Sequence, residues 1–94
     1  MQGINIIAYS TLAVSNTAVG APSLPSKAKR MFITSETDAI RWRADGTNPS
    51  ATEGHILAKD DSISFTGANY RQLLEAIKFI RVTTDATLKV TYFD

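Results

Sequence analysis

The sequence holds one histidine, no cysteine and nine acidic side chains, a narrow set from which to build a reactive site. A serine or threonine nucleophile needs an imidazole beside it, and His55 is the sole imidazole. It follows Gly54 where a loop enters a strand, with no second His and no Cys to complete a zinc site. A structural or surface histidine is the simpler reading. Asp60 and Asp61 adjoin in a turn and diverge, so they are not a preorganised carboxylate pair. Asp45-Gly46-Thr47-Asn48 begins like a calcium loop but lacks the later ligands, and reads as a turn. Gly20, Gly46, Gly54 and Gly67 stand alone, and no Gly-Lys-Ser/Thr follows a strand to cradle a phosphate. An enzyme is therefore not expected, and no cofactor, metal or small-molecule substrate is implied.

Two basic groups suggest binding instead. Arg41 and Arg43 flank Trp42, which could make a stacking platform for single-stranded nucleic acid. Period-two alternation gives a plainer answer: Trp42 turns to the core, and the two arginines to an exposed or partner-facing surface. Lys27, Lys29 and Arg30 form the one dense basic cluster. A solvated strand edge is its plain reading, and docking to an acidic neighbour the sharper one. Ten basic residues against nine acidic ones give a net charge of +1 with the signs interleaved, so no nucleic-acid partner is expected.

These side chains need a scaffold, and 94 residues suffice for one core and not for two. Without cysteines no disulfide can supplement that core, so marginal stability and association between copies are expected. Apolar runs such as Ile6-Ile7-Ala8 are too short to span a bilayer, and no basic region precedes them. The expectation is a protein made in the cytoplasm, with no membrane partner and no cleaved signal.

Residues 4–12 are rich in β-branched and aromatic side chains and read as a strand or extended arm. Gly20, Pro22 and Pro25 make residues 16–26 a loop without regular structure. Residues 1–26 thus form an arm and Gly-Pro loop, and residues 27–94 the body of a single domain. In the body, residues 30–34 and 39–43 read as strands, and 45–50 as an exposed loop. Residues 55–58 and 62–66 read as a hairpin-like pair around Lys59-Asp60-Asp61. Asn69 can cap a short helix near residues 69–76. Residues 77–83 and 87–93 then flank a short connection suited to a hairpin, with Leu88, Val90 and Tyr92 on one face. The fold class is mainly β: a small antiparallel β-sandwich with one short helix, a jelly roll being the candidate winding.

From about residue 30 to 93 the chain resembles small virion proteins of tailed bacteriophages. The likeness rests on Met31-Phe32-Ile33-Thr34, on residues 40–55 from Ile40-Arg41-Trp42-Arg43 through Asn48-Pro49 to Gly54-His55, on Ser62-Ile63-Ser64-Phe65, and on residues 79–82 with 86–92. Such proteins look like β-sandwich or jelly-roll modules that decorate or cement a capsid. The resemblance implies a homo-oligomer bound to the major capsid protein and located in the virion. A tail or head-to-tail connector component is the alternative within that class, and a carbohydrate-binding module, using Trp42 or Tyr70, the alternative outside it. For an assembly role the candidate contact residues are Ile4, Ile6 and Tyr9 on the apolar arm, Lys27, Lys29 and Arg30, Arg41 and Arg43, and Asn48 in the exposed loop.

Overall fold

Alternation of side chains decides the layers. In β8 (Ala86–Phe93), Ala86, Leu88, Val90 and Tyr92 are buried while Thr87, Lys89, Thr91 and Phe93 lie on the other face. In β3 (Arg30–Glu36), Met31, Ile33 and Ser35 turn inward in the same way. The computed structural model describes residues 5–67 and 69–94. Its remaining elements are β1 (Ile6–Val14), β2 (Val19–Gly20), β4 (Ile40–Arg43), β5 (His55–Leu57), β6 (Ser62–Phe65), α1 (Arg71–Ala76) and β7 (Lys78–Arg81). The strands form two four-stranded antiparallel sheets, ordered β1-β8-β3-β6 and β2-β7-β4-β5. Their inner faces meet in a shared core that includes Val14, Ile33, Ile40, Leu74, Phe79 and Leu88. The protein is the mainly β, antiparallel sandwich with one short helix that the sequence predicts.

The connections differ from those predicted. Residues 55–58 and 62–66 do not form a hairpin: β5 pairs with β4, and β6 with β3 in the opposite sheet. The intervening turn is bound to β3, because the Asp60 N–H donates to the Ser35 carbonyl (2.7 Å) and the Ser35 N–H to the Asp61 carbonyl (3.0 Å). That pair of bonds delivers β6 to the β1-β8-β3-β6 sheet, here called sheet A. Likewise β7 and β8 belong to different sheets, so residues 82–85 form a corner and not a hairpin turn. The corner is clipped to its neighbour: the Thr84 hydroxyl and the Ala39 N–H both donate to the Asp38 carboxylate, holding that carboxyl below its usual pKa. Among the described strands only β4 and β5, joined by residues 44–54, are consecutive and paired.

The segment read as loop over residues 16–26 carries the two-residue β2, which pairs Val19 with Phe79 and Gly20 with Lys78. The rest of it is held from outside. The buried Tyr92 hydroxyl donates to the Pro22 carbonyl (2.5 Å), and Arg71 Nη1 donates to the carbonyls of Pro25 (2.6 Å) and Ala28 (3.0 Å). The helix begins at Arg71, and Tyr70, not Asn69, is its N-cap; Asn69 instead accepts the Arg71 N–H (2.9 Å) from one residue before the cap. The arm is also accounted for: β1 pairs within the chain, with β8, from Ile6 opposite Phe93 to Val14 opposite Ala86.

Burial raises the Tyr92 phenol to about 12 from its ordinary 10. Below pH 10 the phenol is neutral in both folded and unfolded chains. Above it the unfolded chain ionises first, so stability falls as pH rises towards about 12. Tyr92→Phe keeps the ring and loses the bond to Pro22, which is expected to lower stability by about 1 kcal/mol at neutral pH. Urea unfolding measured across the alkaline range checks both effects, because the wild type should lose stability more steeply than Tyr92→Phe.

Candidate functional surfaces

Sheet A has one long free edge. β1 runs for 9 residues at the border of the sheet, whereas the other three edge strands, β2, β5 and β6, have 2, 3 and 4. Natural edges are blunted by brevity, charge, proline or a bulge, since unpaired N–H and C=O groups recruit further strands. β1 contains neither charge nor proline. Its one irregularity, between Ile6 and Ala8, leaves the pairing continuous from Ala8 to Val14. The bulge also redirects Ile6. It sits opposite the outward Phe93, while Ala8 stays opposite the inward Tyr92.

The outer face beside this edge carries large apolar side chains at the Ile6 end, with Lys89 farther along it opposite Thr11. Tyr9 lies opposite Thr91, and Thr91 opposite Phe32, so Tyr9 and Phe32 flank one threonine about 10 Å apart across two strand spacings. Tyr9 is 63% exposed and Ile6 69%; Ile7 and Phe32 are exposed beside them. Among the described residues, four of the five large exposed apolar side chains therefore belong to β1 and β3, the fifth being Ile56 on β5.

A second feature lies at the other side of the sandwich. Register places Trp42 opposite His55, and their rings meet at 4.7 Å with a 37° tilt. Trp42 continues edge-on into Phe65 of β6 at 5.4 Å, and Phe65 into Tyr70 at 5.7 Å, so a chain of rings closes the sandwich between its β5 and β6 edges. Outside it is an open cleft of about 470 Å³ lined by Trp42, Arg43, Ala44, Asp45, Glu53, Gly54 and His55. Arg43 grips Asp45 with two bonds, Nε to Oδ1 (3.0 Å) and Nη2 to Oδ2 (2.5 Å). That pairing pulls the Asp45 carboxyl down to about 2 and raises the Arg43 guanidinium.

The loop forming one wall is fixed from several points. Arg41 donates Nε to the Ala51 carbonyl (3.1 Å) and Nη1 to the Gly54 carbonyl (2.8 Å). Ser50 and Glu53 bridge each other through their backbones, and Pro49 is buried. Gly54 has φ +135°, and a Cβ there would stand 3.1 Å from the Trp42 carbonyl oxygen, 3.2 Å from Pro49 and 3.3 Å from Arg41.

The residues singled out in the sequence are thus divided. Ile6 and Tyr9 share the β1 edge, while Ile4 lies outside the described residues. Lys27 and Lys29 are exposed just before β3, on either side of the buried Ala28. Arg30 opens β3 and donates to the Asp94 carbonyl, with its Nε buried and unbonded. Arg41 and Arg43 spend their guanidinium groups on the 44–54 loop, and Asn48 is exposed at its turn. Trp42 is half-buried at the core margin. His55, Asp45 and Glu53 come together only through strand register and loop closure, although the alternation of residues 40–43 already put Trp42 on the inner face. Among the described residues no cluster of His, Asp or Glu is arranged to hold a metal, and no helix is long and apolar enough to cross a membrane.

Gly54→Ala is expected to cost about 1–3 kcal/mol, from the left-handed φ and the crowded Cβ together. Thermal unfolding by circular dichroism measures it. Comparison with known proteins yields no match at all, whether to family models, to curated proteins or to solved structures, and what the chain does has to be read from these two surfaces.

Proposed function

We propose that this domain is a structural subunit that joins other chains by extending sheet A at β1, as a capsid decoration or cement protein would. The contrast between its edges carries this reading. Three edges are short, and the fourth is long, neutral and bordered by Ile6, Ile7, Tyr9 and Phe32. A second copy suits that edge. Residues 1–26 carry no charged side chain, so two β1 strands can lie antiparallel about a two-fold axis without opposing like charges. The joined sheets would form one continuous eight-stranded sheet.

The pairings β1 with β8, β2 with β7, β3 with β6 and β4 with β5 nest inside one another, which supports a jelly-roll winding. Together with the resemblance of residues 30–93 to tailed-phage virion proteins, it supports a capsid as the setting. The major capsid protein is then the second partner and the virion the location. A subunit that binds the assembled shell and not its dissociated parts stabilises the shell by linkage. A tail or connector position would use the same edge, and the copy number separates them. Quantitative mass spectrometry of purified particles should find hundreds of copies for a decoration protein and a few tens or fewer for a tail component. Neither catalysis nor nucleic-acid or membrane binding enters this reading.

The edge can be tested directly. Tyr9 and Thr11 both point outward, Tyr9 opposite Thr91 and Thr11 opposite Lys89, so Tyr9→Glu with Thr11→Glu should leave the circular dichroism and melting temperature nearly unchanged while setting like charges against each other across a paired edge. Sedimentation velocity should show an oligomer for the wild type and a monomer for the double variant. A wild type that stays monomeric at high micromolar concentration, or a double variant that assembles equally well, would overturn the assignment of the edge.

A further inference from the structure

We propose that the cleft between β4, β5 and the 44–54 loop binds neutral carbohydrate, with a sugar ring against the Trp42–His55 wall and its hydroxyls bonded to Asp45, Glu53 and Arg43. This site is separate from the β1 edge and stands on different observations.

The volume fits. About 470 Å³ falls within the roughly 300–1,000 Å³ of small-ligand sites. The chemistry of the lining fits as well. A pyranose has an apolar face of C–H groups, which suits the electron-rich faces of aromatic rings. Around its rim it has hydroxyls that both donate and accept. The cleft supplies rings on one side and, at its mouth, two carboxylates that accept and one guanidinium that donates. With its carboxyl held at about 2 by Arg43, Asp45 is an ionised acceptor throughout the physiological range.

Other ligand classes fit less well. A phosphate or nucleotide would meet two carboxylates and one arginine that is already neutralised by Asp45. A basic side chain would find only Glu53 to pair with, because both oxygens of Asp45 are already held by Arg43. A wholly apolar ligand would bury these charged groups without partners. A neutral polyhydroxylated ring avoids each of these costs.

The wall is also preformed. Arg41 holds the loop through two carbonyls, the Ser50–Glu53 bridge fixes its return, and Gly54 lets it lie directly against β4. A ligand entering the cleft orders little chain, which matters for weakly bound sugars. Residues 44–54 make a long connection for a paired hairpin, and long ordered loops are often functional ones.

Trp42 is the sole tryptophan and lines the cleft, so emission excited selectively from tryptophan, and not from the three tyrosines, responds to a ligand bound there. Titration with maltotriose, cellotriose, triacetylchitotriose and the methyl glycosides of galactose and mannose should give a saturable change in emission with at least one sugar. The Glu53 side chain is exposed, so Glu53→Gln should keep the melting temperature and weaken that sugar at least about tenfold, as expected for losing a charge-assisted hydrogen bond. His55→Ala should weaken it too. Silence with all five sugars would overturn the proposal. So would an equal response from Glu53→Gln, or tighter binding of inorganic phosphate or N-acetylarginine amide in the same assay. Sedimentation of Glu53→Gln should match the wild type, so failure here and failure of the β1 interface are told apart.

Discussion

Sheet A depends on the ladder that β8 makes on both of its sides. β8 is the only described strand that pairs with both β1 and β3, and it does so with each along seven or more positions. Its inward residues Leu88, Val90 and Tyr92 are wholly buried, so the ladder and the core are one event. Tyr92 then extends the effect beyond the sheet, since its hydroxyl ties down the Gly-Pro segment that leads into β3. Without β8, β1 would have no partner within the chain. The free side of β1 exists as a defined edge only because its other side is occupied.

That constraint explains which parts of the fold were legible in the sequence. Period-two alternation located β4, β6 and β8 because each has one wetter and one drier face. Pairing was not legible, because turn-forming residues announce a reversal without saying which sheet the chain re-enters. Lys59-Asp60-Asp61 looks like a hairpin turn, yet its backbone bonds to Ser35 carry the next strand across the sandwich. Residues 82–85 behave alike, held to the neighbouring corner through Thr84 and Asp38. β2 escaped notice because two residues, one of them a glycine two positions ahead of a proline, carry no periodicity at all.

The candidate surfaces divide in the same manner. The apolar, charge-free character of the N-terminal segment is plain in the sequence, and Ile6 and Tyr9 do lie at an exposed edge. That the edge is the longest of four is a property of the sheet order. The cleft was harder to foresee. Trp42 and His55 are 13 positions apart and become neighbours only through the β4–β5 register. The arginines around Trp42, which read as surface charges open to a partner, are committed to the loop that builds the cleft wall. Arg41 acts there as a backbone clamp and Arg43 as the counter-ion of Asp45.

The position of β8 along the chain has a consequence for biosynthesis. Seven strands leave the ribosome before it, so the centre of sheet A is absent while most of the sandwich is already in solution. Translation at roughly 5–20 residues per second leaves β1 exposed for seconds, long compared with local strand collapse. Closure between such distant segments is slow by topology, which adds to that interval. A strand with no charge along its length is then at its most adhesive before β8 has emerged. β1 cannot take its place in the sheet until β8 has emerged, and a chaperone or a high dilution of nascent chains would protect that strand until then.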